Sequence, residues 1–243
     1  MLANVIFYSF LAGLSTILGI YLVKHFEVLV KRNTVFLLSF AIGVLLANAF
    51  FHLLPEAIEA NQSWFYWTLG AIVFLFLVEH LIIIHTCPEE EEEEKGHMHT
   101  LGTTSFLGVF FHSLIDGIII GVGFEVSFVV GLLTSLAVIF HETAEGVFIY
   151  TLLIHDKLLQ KKALLFSWLV ALATPFGAVI TFLLIQNISP FILSALLATA
   201  AGTFIYIGAS DLVPEIHKRY NLANVFLVLL GIFFVIVIGR FLD

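Results

Sequence analysis

The stretch VVGLLTSLAVIFHETAEGVFIYTLL, residues 129–153, is long and apolar enough to cross a membrane as a helix. It nevertheless carries His141 and Glu145 close to its centre, and the apolar stretch before it carries His112 and Asp116 at the same depth. A charged side chain at the centre of a bilayer costs at least ~2.5 kcal/mol on insertion scales, so such residues mark functional sites. The two stretches therefore predict a membrane protein with a polar site near the midplane.

The residue types at this site are those of a divalent-metal shell. On each helix the carboxylate follows its histidine by four residues and so lies on the same face. Two such faces offer two imidazoles and two carboxylates to one ion. Ser113 and Glu142 each follow a histidine by one residue, so they can reach a neighbouring ligand position or a second ion. Zinc, iron and manganese suit this set, whereas the lack of a thiolate disfavours Cu(I). The alternative is a structural histidine–carboxylate pair, but two such pairs at one depth favour a metal.

The composition of the whole chain is that of an integral membrane protein. Its 243 residues are 60% hydrophobic and include 26 Phe, whereas soluble domains are about 45–50% apolar. The net charge of −8 largely reflects one loop, because six of the 18 acidic residues form the run at 89–94. The composition predicts a lipid bilayer as the surroundings and no nucleic-acid partner, and the single Cys87 excludes an internal disulfide.

Hydropathy divides the chain into eight predicted transmembrane spans joined by short connections. They cover approximately residues 4–23, 34–54, 64–85, 103–124, 129–153, 163–186, 190–213 and 222–242. We therefore expect an all-α membrane protein with a single transmembrane domain, residues 1–243. No secretory signal precedes the first span, which we interpret as retained.

The distribution of basic residues predicts the orientation. Nine of the ten Lys and Arg residues fall in the loops after spans 1, 3, 5 and 7, and only Arg240 lies on the other side. By the positive-inside rule those loops are cytoplasmic and both termini are extracytoplasmic.

Spans 2 and 7 share a spacing that predicts an internal repeat. Gly43 precedes Pro55-Glu56 by twelve residues, and Gly202 precedes Pro214-Glu215 by the same interval. Because the two spans cross in opposite directions, the match predicts an inverted repeat, which is typical of transporters; a chance match is the alternative. Candidate pathway or gate residues at the ends of these spans are His52, Glu56, Asp211, Glu215 and His217. Ordinary interfacial polar residues are the alternative for them.

The loop at 86–101 combines the acidic run with His97 and His99. This segment is too charged to fold alone, so we expect a disordered cytoplasmic loop. Two histidines beside carboxylates predict a weak metal site, and a solvated linker is an equal alternative.

Taken together, these residues resemble the ZIP family of metal-ion transporters. The resemblance covers essentially the whole chain, and its specific part is His112-Ser113-x-x-Asp116-Gly117 with His141-Glu142-x-x-Glu145-Gly146. It implies eight spans in a 3+2+3 arrangement and a midplane metal site, often binuclear, formed by these positions. It also implies import of Zn²⁺, Fe²⁺, Mn²⁺ or Cd²⁺ across a cell membrane by an elevator-like movement, and a homodimer.

The chain departs from the family pattern at two positions. Ser113 stands where many members have Asn, and Thr174 stands where some bacterial members have Glu. The second departure removes a carboxylate from the second metal position, so a full binuclear site is not expected.

Two other classes of protein, a membrane hydrolase and a metal-sensing receptor, share part of this pattern. An intramembrane zinc-dependent hydrolase is suggested by His141-Glu142, but position 145 is Glu rather than the second His of a zinc protease. No oxyanion donor or substrate pocket is evident for a hydrolase of the Ser, His and Asp type. A metal-sensing receptor would need a signalling domain, for which no segment is long enough. The sequence therefore predicts a divalent-cation importer, not an enzyme, with Zn²⁺ as the first candidate cargo.

Overall fold

The computed structural model describes residues 1–86, 98–155, 158–185, 189–217 and 221–242, and all secondary structure in these residues is helical. Each predicted span corresponds to a helix. The helices are α1 (Leu2–Val30), α2 (Asn33–Ala60), α3 (Trp64–Thr86), α4 (Met98–Val126), α5 (Phe128–His155), α6 (Gln160–Leu184), α7 (Pro190–Tyr206, continued to His217) and α8 (Leu222–Leu242).

The first two helices meet at a kink at Phe26, which lies inside the break predicted between residues 23 and 34, and the connection is shorter than predicted. Helical geometry runs through Leu2–Asn48, and only Phe26 departs from it, with φ −132° and ψ 43°. The intervening segment contains no Gly or Pro to end a helix, so the chain bends at one residue instead of forming a turn.

The surface of the bundle is apolar, as expected for a protein surrounded by lipid. Among the described residues, seven helices are long and apolar enough to span a membrane, and α3 adds a shorter apolar stretch, Trp64–Leu77. On α8, Phe226 and Phe233 are 65% and 62% exposed. Helices satisfy their own backbone hydrogen bonds, which a bilayer requires. The chain is a multi-pass membrane protein.

Glycines bring α4 and α5 into close contact with two neighbouring helices. A Cβ atom added at Gly146 of α5 would overlap the backbone carbonyl of Thr16 in α1. One added at Gly117 of α4 would overlap the carbonyl of Thr174 in α6. Small residues permit this approach in membranes, so α4 and α5 are held against α6 and α1 at the depth of the predicted site.

The other four helices pair in the same way. Gly43 of α2 packs against Gly231 and the carbonyl of Val228 in α8. Gly202 of α7 packs against the carbonyl of Thr68 in α3. The glycines of spans 2 and 7 that the sequence singles out are therefore points of close helix contact.

Both α2 and α7 contain a π-helical turn just before a proline. The turns are Ala49–Leu53 and Ile207–Leu212, and Pro55 and Pro214 follow two residues later. Because proline has no N–H to donate, the helix cannot keep its regular ladder there, and widened turns of this kind are frequent at functional positions.

The main hydrophobic cluster fills the half of the bundle where α4 ends and α5 begins. Its largest buried members include Leu45, Phe124, Leu133 and Phe204. Smaller clusters lie towards the opposite end, one around Ile20 and Leu153 and another around Leu38 and Ile42. The predicted polar site lies between these apolar regions.

Candidate metal site

Four ionisable side chains from α4 and α5 meet in the middle of the bundle. One ligand atom from each of His112, Asp116, His141 and Glu145 can be chosen so that all four atoms lie within 4.8 Å of one another. The spacing of four residues places both members of each pair on one helix face, and close packing of α4 and α5 brings the two faces together. The residues predicted to be primary ligands are thus adjacent, while their binding of a metal stays a prediction.

Three distances within this four-residue cluster are close to those between ligands of a small divalent ion. The Oδ2 atom of Asp116 lies 3.1 Å from Nε2 of His141 and 3.3 Å from Nε2 of His112. The Oε2 atom of Glu145 lies 3.4 Å from Nε2 of His112. In a tetrahedral zinc site with bonds of about 2.0–2.2 Å, neighbouring ligand atoms are separated by roughly 3.3–3.6 Å. These three pairs therefore already have the spacing of metal ligands, while the four atoms as a set lie within 4.8 Å of one another.

The orientation of His141 leaves its second nitrogen facing the carboxylate. Its Nδ1 lies 2.9 Å from the carbonyl oxygen of Ala137, and since a carbonyl only accepts, Nδ1 carries the hydrogen. In neutral imidazole Nε2 then has a lone pair, which points at Oδ2 of Asp116 only 3.1 Å away. Two acceptors in such contact repel unless a proton or a cation lies between them. A backbone partner that fixes the imidazole in this way is typical of metal-binding histidines.

The cluster is buried unevenly. Asp116 is fully buried and His141 is 4% exposed, whereas the side chain of His112 is 25% exposed. The Oδ1 atom of Asp116 is buried and has no hydrogen-bond partner among the described residues. A buried carboxylate without full compensation is costly, and a cation bound here would reduce that cost.

The two flanking residues make hydrogen bonds of their own. The hydroxyl of Ser113 donates to Oε1 of Glu145 at 2.5 Å, so Ser113 contacts a residue of the four-residue cluster. Glu142 is fully buried and accepts hydrogen bonds from the hydroxyls of Thr16 in α1 and Thr174 in α6, the latter at 2.6 Å. Neither belongs to the four-residue cluster, and whether either binds a metal stays a prediction.

Some of these polar partners were not predicted from the sequence. Thr16 is one of them, and Ser15 is another, with its hydroxyl 2.5 Å from that of Thr143. Hydroxyl residues are common in membrane helices, so only the packing of α1 against α5 identifies these two. Thr174 was singled out in the sequence by comparison with the family pattern alone.

The candidate pathway residues lie apart from the cluster. His52 is in the π-helical turn of α2, half-buried, and a Cβ atom at Gly239 of α8 would lie 2.8 Å from its ring. Glu56 is half-buried one turn further on, and His217 is exposed at the end of α7. The structure does not describe residues 87–97, which include His97 and most of the loop at 86–101. It also does not describe the side chains of His99, Asp211 and Glu215.

Comparison with known proteins shows one consistent family match. A family model described as ZIP zinc transporter matches residues 2–105 and 84–239. The zinc transporter zipt-7.2 of Caenorhabditis elegans is 25% identical over 265 residues, covering 84% of this chain and 57% of that protein. The zinc transporter ZIP13 of Pongo abelii is 23% identical over 231 residues, covering 85% of this chain and 67% of that protein.

A third relative matches a shorter segment at higher identity. The human metal cation symporter ZIP8 is 33% identical over 106 residues, covering 44% of this chain and 22% of that protein. The chain thus spans less than two thirds of the length of the nematode and human relatives.

Proposed function

Because this chain belongs to the ZIP zinc transporter family, we propose that it imports a divalent metal cation into the cytoplasm. This membership confirms the resemblance noted in the sequence. The observation that carries the proposal is the cluster of His112, Asp116, His141 and Glu145 in the middle of a multi-pass bundle. The cation binds there, and the site opens alternately to each side of the membrane.

The chemistry of the cluster favours Zn²⁺ as the cargo. Two imidazole nitrogens and two carboxylate oxygens form a borderline ligand set, which suits zinc and also accepts Fe²⁺, Mn²⁺ or Cd²⁺. The hydrolase alternative has no support from the comparisons, since the relatives are named as transporters.

The number of ions follows from the flanking residues. The hydroxyl of Ser113 donates to Glu145, and the two oxygens of Glu142 accept hydrogen bonds from threonine hydroxyls. One of these threonines, Thr174, offers a hydroxyl where a second metal position would need a carboxylate. We therefore assign one strongly bound ion to the site.

Substitution of the flanking residues is expected to change the transport rate more than the affinity. Ser113→Ala and Glu142→Ala should lower the maximal uptake rate while the KM stays within about twofold, because neither side chain completes the primary shell. Glu142→Gln, which can still bond to both threonines, is the matched control and should retain more activity than Glu142→Ala. Two equally tight ions per protein in a metal titration of the wild type would contradict this assignment.

We also propose a 3+2+3 architecture. In it, α1–α3 and α6–α8 are related as an inverted repeat, and α4 and α5 lie between them. The packing supports it, because α5 meets α1 at Thr16 and α4 meets α6 at Thr174 in equivalent ways. These threonines are 158 residues apart, as are Gly19 and Gly177, which also pack against α5 and α4. The α2–α8 and α7–α3 contacts form a second matching pair.

The proposed orientation places both termini outside the cytoplasm of a cell membrane. In a Cys87→Ser background, cysteine introduced by Glu56→Cys should react with a membrane-impermeant thiol reagent added outside intact cells. Cysteine introduced by His217→Cys should react only after the cells are opened, since the basic loops predict that this end is cytoplasmic. The reverse pattern would overturn the orientation. A homodimer remains a further proposal based on the family.

Uptake of radioactive zinc into liposomes containing the purified protein tests the function. We expect saturable uptake that Fe²⁺, Mn²⁺ or Cd²⁺ inhibits to different degrees, with no uptake by protein-free liposomes. A correctly folded protein that takes up none of these metals would contradict the proposal.

A further inference from the structure

A second polar contact lies inside the main hydrophobic cluster, apart from the metal site. Nδ2 of Asn48 in α2 donates to the hydroxyl of Thr134 in α5 at 3.2 Å, and both side chains are fully buried. The Oδ1 atom of Asn48 has no hydrogen-bond partner among the residues that the structure describes. Reversing the amide would leave Nδ2 unpaired instead, so one end of Asn48 is unsatisfied either way. Such a buried group is costly to fold and calls for an explanation.

The position of this pair connects two groups already described. On α2, Asn48 precedes His52 by four residues, and on α5, Thr134 precedes His141 by seven. Seven residues are two α-helical turns, so Thr134 shares a face with His141, while Asn48 lies about one turn from His52 across the π-helical turn. Along the helix axes the pair therefore lies between the level of His52, at the proposed extracytoplasmic entrance, and the level of His141.

The Asn48 and Thr134 side chains are surrounded by apolar side chains. Leu45, Leu53 and Leu133 nearby are fully buried. A Cβ atom at Gly123 of α4 would lie 3.2 Å from the Thr134 hydroxyl, so glycine at this position lets α4 approach the oxygen closely.

We propose that Asn48 and Thr134 form a transient binding station for the divalent cation between the extracytoplasmic mouth and the central site. This inference rests on the proposed transport function and orientation. An amide oxygen and a hydroxyl oxygen are neutral ligands that replace part of a cation's hydration shell without holding it tightly. A station on a pathway must bind strongly enough for entry and weakly enough for release. The hydrogen bond between α2 and α5 then closes the pathway when no cation occupies the station.

Replacing an oxygen ligand with a soft sulfur ligand tests this proposal, because the uptake of a soft and a hard cation can then be compared in the same variant. In a Cys87→Ser background, Asn48→Cys places a thiol at the station, and soft Cd²⁺ should be retained there while hard Mn²⁺ is not. We expect the uptake of Cd²⁺ to fall at least tenfold relative to that of Mn²⁺. The matched control is Ser194→Cys, a buried position on α7 whose hydroxyl donates to the carbonyl of Ala57. It should leave the ratio of the two rates unchanged.

Removing the oxygens provides a second measurement. Asn48→Leu and Thr134→Val should each lower zinc uptake at limiting metal about tenfold, while the purified variants still bind one zinc at the central site; Thr134→Ser should restore uptake. Wild-type uptake by folded Asn48→Leu, or equal slowing of Cd²⁺ and Mn²⁺ by Asn48→Cys, would overturn the station. Failure of the wild-type protein to transport any metal would instead contradict the proposed function.

Discussion

Alanine in place of His112, Asp116, His141 or Glu145 is expected to abolish most metal uptake while the protein stays folded. Each side chain supplies one of the four ligand atoms that lie within 4.8 Å of one another. Losing one of four ligands should weaken binding by about 100-fold or more, because breaking a buried charge pair typically costs about 3–5 kcal/mol. The substitution also leaves the remaining buried groups without their partner, as for Asp116 between the two imidazoles.

The measurement is zinc uptake into liposomes, paired with size-exclusion chromatography to establish folding. Ser135→Ala is the matched control, because Ser135 is a buried residue of α5 whose hydroxyl donates to the carbonyl of Gly131 in its own helix. Uptake by Ser135→Ala should remain near the wild-type rate. Wild-type uptake in folded forms of any two ligand variants would show that the site is wrongly assigned.

Alanine at Gly117 or Gly146 is expected to cause a large loss of stability. The new Cβ atom would overlap the carbonyl of Thr174 or of Thr16, and a backbone atom cannot rotate away. The helices must then separate at the depth of the metal site, which should cost about 3 kcal/mol, at the upper end of ordinary overpacking effects. We expect a lower thermal transition and reduced yield of monodisperse protein.

Gly108 on α4 and Gly70 on α3 are the matched controls for these two glycines. A Cβ atom at either position would meet no atom within 4 Å among the described contacts. Gly108→Ala and Gly70→Ala should therefore be neutral or slightly stabilising, because alanine favours the helix. Equal stability of Gly117→Ala and Gly108→Ala would contradict the packing described for α4 and α6.

The helices and the meeting of the four cluster residues could be predicted because both depend on local spacing. A run of apolar residues sets the span, and a four-residue interval sets the face on which His112 and Asp116 lie. The charged residues after span 1 likewise predict a break, and the helix is broken there at Phe26. The shortness of this connection could not be predicted, because charge indicates which side of the membrane a segment occupies and not how many residues the connection takes.

The partners of Glu142 could not be predicted, since they depend on which helices pack together. A carboxylate next to a predicted ligand has the same local sequence whether it points to the metal or to a neighbouring helix. Only the approach of α1 and α6, permitted by glycines, brings the hydroxyls of Thr16 and Thr174 to its two oxygens. The Asn48–Thr134 contact escaped notice for the same reason, because it joins residues 86 positions apart.

X-ray absorption spectroscopy at the zinc edge, on purified protein with one equivalent of zinc, identifies the ligands of the bound metal. We expect one zinc bound by two imidazole nitrogens and two carboxylate oxygens at about 2.0–2.2 Å. His112→Ala and His141→Ala should each lose one imidazole from that shell or lose the zinc. A spectrum that stays unchanged in both variants would place the metal at other residues and rule out the site between α4 and α5.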